Sequence, residues 1–165
     1  MKHTISVLVE NHSGVLSRIS GLFSRRGFNI DSLAVGTTND PSISRITIIA
    51  DGNEYTVEQI EKQLNKLIEV IKVKTLERDE CLARELILVK LAVPAEKRSE
   101  VMTIADITGA KVMDLTLTTM TLELCDTYAH IQRFNEIVAP YDVIEMVSTG
   151  TIAIQKGSET ITAKK

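Results

Sequence analysis

The amino-acid sequence predicts an α+β protein in which one series of elements (strand, helix, strand, strand, helix, strand) occurs twice. Strands are indicated by short β-branched stretches in which apolar and polar residues alternate, and helices by apolar residues spaced three or four apart. The second series follows the first at an offset of about 80 residues, without similarity between the two sequences. A chain of 165 residues is long enough for two compact domains of this kind.

The first half begins with a strand and an amphipathic helix. In residues 3–10, Ile5, Val7 and Val9 alternate with polar residues, which is typical of a half-buried strand. The next segment has apolar residues at the spacing of one helix face, and Gly27 ends it. These apolar residues are Val15, Leu16, Ile19, Leu22 and Phe23.

Residues 28–37 and 43–50 predict a hairpin, because the segment between them has the residue types of a tight turn. A capping box at Thr56–Gln59 predicts the start of a second helix, and residues 70–76 predict a fourth strand. Together these elements predict a ferredoxin-like domain over residues 1–77, with an antiparallel four-stranded sheet and both helices on one face.

Residues 78–84 are mostly polar and break the pattern, so we expect a linker there. A second ferredoxin-like βαββαβ domain is predicted for residues 85–157, and the last strand of that domain for residues 143–154. Residues 158–165 lack periodicity and are expected to form a flexible tail.

Composition excludes several classes of protein. A net charge of -3 provides no general attraction to nucleic acid, and no stretch approaches the roughly 18 apolar residues of a membrane span. Cys81 and Cys125 are far apart and are expected to be reduced thiols, and no secretion signal is recognisable. We therefore expect a cytoplasmic protein with neither nucleic acid nor membrane as a partner.

No catalytic or metal-binding group is recognisable. His3, His12 and His130 are not grouped with each other or with the cysteines, and the glycines do not have the spacing of a nucleotide-binding loop. We therefore expect a protein that is not an enzyme and that binds no metal or cofactor.

The connection from the first strand to the first helix, Asn11–Gly14, has the chemistry of a ligand-binding loop. The free amides of Gly14, Val15 and Leu16 would attract an anion, and Asn11 can both donate and accept hydrogen bonds, which suits a zwitterion. The alternative is that Ser13 or Asn11 caps the helix and that His12 is an ordinary loop histidine. The loop chemistry by itself favours the alternative.

Residues 5–33 closely resemble the start of the regulatory small subunits of acetohydroxyacid synthase, also called acetolactate synthase. The run is ISVLVENHSGVLSRISGLFSRRGFNIDSL, and the similarity continues through residues 44–47, 59–67 and 84–90. It therefore extends over both halves of the chain.

The resemblance implies that the first domain is an ACT domain, which forms a homodimer and binds a small ligand where two copies meet. In this family the ligand is usually valine; leucine and isoleucine are alternatives. Loop residues of one subunit would face the second strand of the other. The implied valine-binding residues are Asn11, His12, Gly14, Val15 and Leu16 of one subunit and Asn29 and Ile30 of its partner.

The resemblance also implies a partner, the catalytic large subunit, which carries thiamine diphosphate, Mg and FAD. The chain would activate this subunit and confer feedback inhibition by valine in branched-chain amino-acid biosynthesis. The alternative function is a free-standing ACT-type regulator of another enzyme or of a transcription factor.

Overall fold

The structure, a computed structural model, describes residues 1–161. It contains two compact units, and both have the predicted α+β series. The first unit consists of residues 1–82 together with the returning residues 151–161, and the second consists of residues 83–150. These bounds differ from the predicted 1–77 and 85–157, because the end of the chain returns to the first unit.

Six elements form the sheet and the helices of the first unit, and they follow the predicted order. They are β1 (Lys2–Glu10), α1 (Val15–Arg26), β2 (Ile30–Thr37), β3 (Ile43–Asp51), α2 (Glu54–Leu64) and β4 (Val70–Leu76). The strands form an antiparallel sheet in the order β2-β3-β1-β4. Ile5, Val7 and Val9 of β1 pack with Ile19 and Phe23 of α1 in a buried core, so the helices lie on one face, as predicted.

Two helix ends show how the sequence determines the element bounds. Gly27 ends α1 in the left-handed conformation, with φ 68°, as its position predicted. The predicted capping box at Thr56–Gln59 is wrong, because α2 begins earlier, at Glu54. Its N-cap is Asn53, whose side-chain oxygen accepts a hydrogen bond from Thr56 N at 2.8 Å. The Asn53 cap satisfies a free backbone donor of the first turn.

The opposite, helix-free face of the first sheet is also covered. Ser6, Leu8 and Thr47 point to this face and are nevertheless buried. Residues 151–161 lie across it: Thr151 N donates to Ser32 Oγ of β2 at 3.1 Å, and Arg45 of β3 donates to the Ala153 carbonyl at 2.8 Å.

The same segment continues to the other edge of the first sheet, where Glu159 pairs with Lys74 of β4. Burial beneath it lowers the pKa of the Arg45 guanidinium. Ile161 is buried as well, so residues 158–161 of the predicted flexible tail contact the first unit, while residues 162–165 lie outside the described residues.

The elements that follow β4 repeat the series. They are β5 (Cys81–Ala92), α3 (Arg98–Thr108), β6 (Lys111–Leu115), β7 (Thr119–Asp126), α4 (Tyr128–Val138) and β8 (Asp142–Ser148). The sheet order of the second unit is β6-β7-β5-β8. Ile87 and Val89 of β5 pack with Val101 of α3 and Phe134 of α4. The predicted pair of ferredoxin-like folds is confirmed.

Two predicted segments differ from the structure. β5 begins at Cys81, inside the segment 78–84 that was predicted to be a linker. The last strand, predicted as residues 143–154, is interrupted after Ser148, because Gly150 adopts a left-handed conformation with φ 70°. The chain then forms a separate short strand, β9 (Ile152–Gln155), in the first unit.

Among the described residues, no helix is both long and apolar enough to cross a membrane. Cys81 and Cys125 are both free thiols.

The alternation along β9 provides a matched test of the covering segment. Ala153 faces the first sheet and is 7% exposed, whereas Ile152 points outward. Ala153→Glu should lower the free energy of unfolding by about 1–3 kcal/mol, because it forces a larger, charged side chain into a packed layer. Ile152→Glu should change it by no more than about 0.5 kcal/mol. Urea unfolding of both variants measures this, and equal effects would contradict the assignment of the buried face.

Candidate functional site

The loop from Asn11 to Gly14 is held in place by its neighbours. Glu10 N donates to the Glu69 carbonyl at 2.9 Å, and Asn11 N donates to the Ser42 carbonyl at 2.7 Å. The Asn11 side chain donates to the Pro41 carbonyl at 2.8 Å. The amide of Asn11 therefore ties the loop to the β2–β3 turn, a role that the sequence analysis had not assigned to it.

Gly14 is the N-cap of α1 and adopts a left-handed conformation with φ 88°. No side chain accepts a hydrogen bond at this cap, so the structure does not support the alternative in which Ser13 or Asn11 caps the helix. A helix leaves its first four amides without partners inside the helix, which here are those of Gly14, Val15, Leu16 and Ser17. Ser17 adds a donor that the sequence analysis had not included.

The space around these amides is open. A Cβ atom placed on Gly14 would meet no heavy atom within 4 Å. The side chain of Val15 belongs to the core and is only 4% exposed, so this residue can offer a ligand only its backbone amide. Leu16 is 45% exposed and can provide an apolar contact.

His12 is engaged with its own loop. Its Nε2 lies 3.0 Å from Glu10 Oε2, and its Nδ1 lies 3.1 Å from the Ser13 carbonyl. One side of the loop faces an open concavity of about 450 Å³. Gly14, Val15 and Leu16 do not line this concavity. It is lined by Glu10, Asn11, His12, Ser42, Ile43 and Ile71.

A charged pair lies close to the first turn of α1. The guanidinium of Arg18 contacts the carboxylate of Glu69, which is largely buried and directly precedes β4. Because the Glu69 carbonyl also receives the amide of Glu10, this residue connects the loop, the helix and β4. Neither Arg18 nor Glu69 could be assigned from sequence, since no spacing pattern relates them.

Asn29 and Ile30 lie far from this loop within one chain. Ile30 pairs with Ala50 of β3, and Ala50 pairs with His3 at the beginning of β1, whereas the loop follows Glu10 at the other end of that strand. Seven residues of strand separate the two positions by about 23 Å. Asn29 is exposed, and its side-chain amide donates to Asp31 at 2.8 Å.

The predicted residues thus form two separate groups in one chain, a loop group at 11–16 and a strand group at 29–30. The loop group offers unpaired backbone donors at the positive end of a helix, an arrangement suited to a carboxylate. Within residues 1–161, no cluster of three or more His, Cys, Asp or Glu side chains could hold a metal ion.

Both units match known protein families. Residues 5–72 match the AHAS small subunit-like ACT domain, and residues 84–157 match the small subunit of acetolactate synthase.

Relatives from distant organisms cover nearly the whole chain. A probable acetolactate synthase small subunit from Archaeoglobus fulgidus is 43% identical, over 96% of this chain and 99% of its own. The acetolactate synthase small subunit from Mycolicibacterium smegmatis is 42% identical, over 99% and 96%. The crystal structure of the small subunit from Thermotoga maritima superposes with a TM-score of 0.90 at 32% identity, over 96% of this chain and 99% of that one. This chain therefore belongs to the family of acetolactate synthase small subunits.

Proposed function

We propose that this chain is the regulatory subunit of an acetolactate synthase, which activates the catalytic subunit and makes it sensitive to inhibition by valine. The observation that carries the proposal is the uncapped first turn of α1, which follows Gly14 in the ACT domain of an acetolactate synthase small subunit. In this proposal, thiamine diphosphate, Mg and FAD belong to the catalytic subunit and not to this chain.

The chemistry of the loop fits the carboxylate of an amino acid. The dipole of α1 contributes about 0.3–1 kcal/mol to holding an anion, and each hydrogen bond to a charged group contributes about 1.5–3 kcal/mol. Gly14 leaves room for the carboxylate. Exposed Leu16 offers a contact for the aliphatic side chain of valine.

A second subunit supplies the remaining groups in this proposal. β2 is the edge of the first sheet, and in the described part of the chain only β3 pairs with it. Antiparallel pairing of two β2 strands would place Asn29 and Ile30 of one subunit beside the Thr37 end of the other. That end lies near the loop, because Thr37 pairs with Ser44 while Ser42 accepts the amide of Asn11.

The second unit does not offer an equivalent anion site. There the helix is preceded by Pro94, which has no N–H, and by a 3₁₀ turn at Ala95–Lys97. Lys97 N donates to the Pro94 carbonyl at 3.0 Å, so this amide already has a backbone partner. The amides at the start of α1 in the first unit have no such partner within their helix. Valine therefore binds only through the ACT domain in this proposal.

Gly14→Asp and Gly14→Asn test the carboxylate site as a matched pair. Asn and Asp have nearly the same shape and both tolerate the left-handed conformation, so the pair differs mainly in charge. Gly14→Asp should raise the valine concentration for half-inhibition of acetolactate formation at least about tenfold above that of Gly14→Asn. The assay uses the complex with the catalytic subunit. Equal valine sensitivity of the two variants would count against a carboxylate at this position.

Mixed dimers test whether the site is shared between subunits. Gly14→Asp damages the loop group and Asn29→Ala the strand group, so a dimer with one chain of each kind retains one intact site. Differently tagged chains allow this dimer to be isolated. Titration calorimetry should detect one valine per mixed dimer and about tenfold weaker binding to either parent variant. Absence of binding to the mixed dimer would contradict a site formed by the loop of one subunit and Asn29 of the other.

A further inference from the structure

The outer edge strand of the second unit, β8, exposes an apolar surface. All seven of its residues are exposed, and four of them are large and apolar. These are Val143, Ile144, Met146 and Val147, and Val147 is 58% exposed. Leu88, the partner of Val147 on β5, is partly exposed beside it and extends the apolar surface. In residues 1–161, β5 is the only strand that pairs with β8.

Compared with the edge strands β4 and β6, β8 lacks lysine, the side chain that most often protects a sheet edge against strand pairing. Edge strands are commonly protected by charged side chains, especially lysine, or by proline. β4 carries Lys72 and Lys74, and β6 carries Lys111. β8 contains no lysine, arginine or proline, and neither does β2, the edge that the proposed function pairs with a second copy. This composition indicates that β8 is also covered in the working assembly.

Charge distinguishes the possible occupants of β8. Its two charged residues, Asp142 and Glu145, are both acidic, and Glu145 has only a loose contact of 3.7 Å with Lys90. The second unit as a whole contains six basic and ten acidic residues, a net charge of -4. Pairing with β8 of a second copy would bring together two strands that each carry acidic residues and no lysine or arginine, which is unfavourable. A strand with basic side chains is the complementary occupant.

We propose that the β8 edge binds an extended segment of the catalytic subunit by strand addition. The free backbone groups of β8 would pair with that segment. Its side chains would be apolar opposite Val147 and basic opposite Glu145, since these residues share the helix-free face of the second sheet. The identity of this partner rests on the proposed function.

A lysine placed on β8 tests the proposal, with a matched lysine elsewhere in the unit as the control. Val147→Lys adds the edge protection that β8 lacks and opposes a basic partner strand. Leu117→Lys makes the same kind of change at an exposed position between β6 and β7. We expect Val147→Lys to raise the subunit concentration for half-maximal stimulation of acetolactate formation at least about tenfold. Leu117→Lys should leave that concentration within about twofold of the wild type.

A second variant tests the charge separately. Glu145→Gln removes an exposed carboxylate without changing its size, so folding should be unaffected. We expect it to weaken association with the catalytic subunit about two- to fivefold at low salt and less at high salt. A weaker association that does not depend on salt concentration would contradict a partner strand with basic side chains.

Three other results would overturn the proposal. The first is unchanged stimulation of the catalytic subunit by Val147→Lys, and the second is an equal loss of stimulation in Val147→Lys and Leu117→Lys. The third is a Val147→Lys chain that no longer dimerises in sedimentation, because a second copy would then be the partner of β8. The proposed function is judged separately. The proposed function fails if the wild-type chain does not stimulate the catalytic subunit. Valine binding by Val147→Lys, measured by calorimetry, should match that of the wild type.

Discussion

The antiparallel pairing of β1 with β3 is the constraint on which the candidate site depends. It places the start of β1 beside the end of β3, so the loop after Glu10 and the residues before β2 lie at opposite ends of the first sheet. A rigid sheet cannot bring these ends together, since their separation is about 23 Å. Any site that uses both groups must draw one of them from another subunit, so ligand binding at such a site would depend on dimerisation.

In the same unit, the contacts that hold the loop leave the first amides of α1 without a side-chain cap. Asn11 is tied to Pro41 and Ser42, so the loop is held in place without a side chain that would occupy the first turn of α1. Arg18 and Glu69 fix the other side of that turn. A helix start that is held rigidly and left uncapped is prepared for an anion, because little further ordering is needed on binding.

Much of the fold could be predicted because its signals are local. Alternation at Ile5, Val7 and Val9 and the helical spacing from Val15 to Phe23 each report one element, and their order admits few topologies. The bounds were less predictable where two signals compete. Thr56 resembles the start of a capping box, but Asn53 lies three residues earlier and caps the helix that forms. The loop group of the candidate site is contiguous in sequence, whereas Glu69 and Ser42, which hold the loop in place, come from distant segments.

The sequence by itself determined the two α+β series, the glycine at the start of α1 and the family to which the chain belongs. Each of these is encoded in contiguous residues. Only the tertiary structure decided that residues 151–161 cover the first sheet, that Leu8 is therefore buried, and that Asn29 lies far from the loop in its own chain. These facts depend on contacts between residues up to 119 positions apart, as in the bond from Thr151 to Ser32. Local periodicity carries no information about contacts at such a separation.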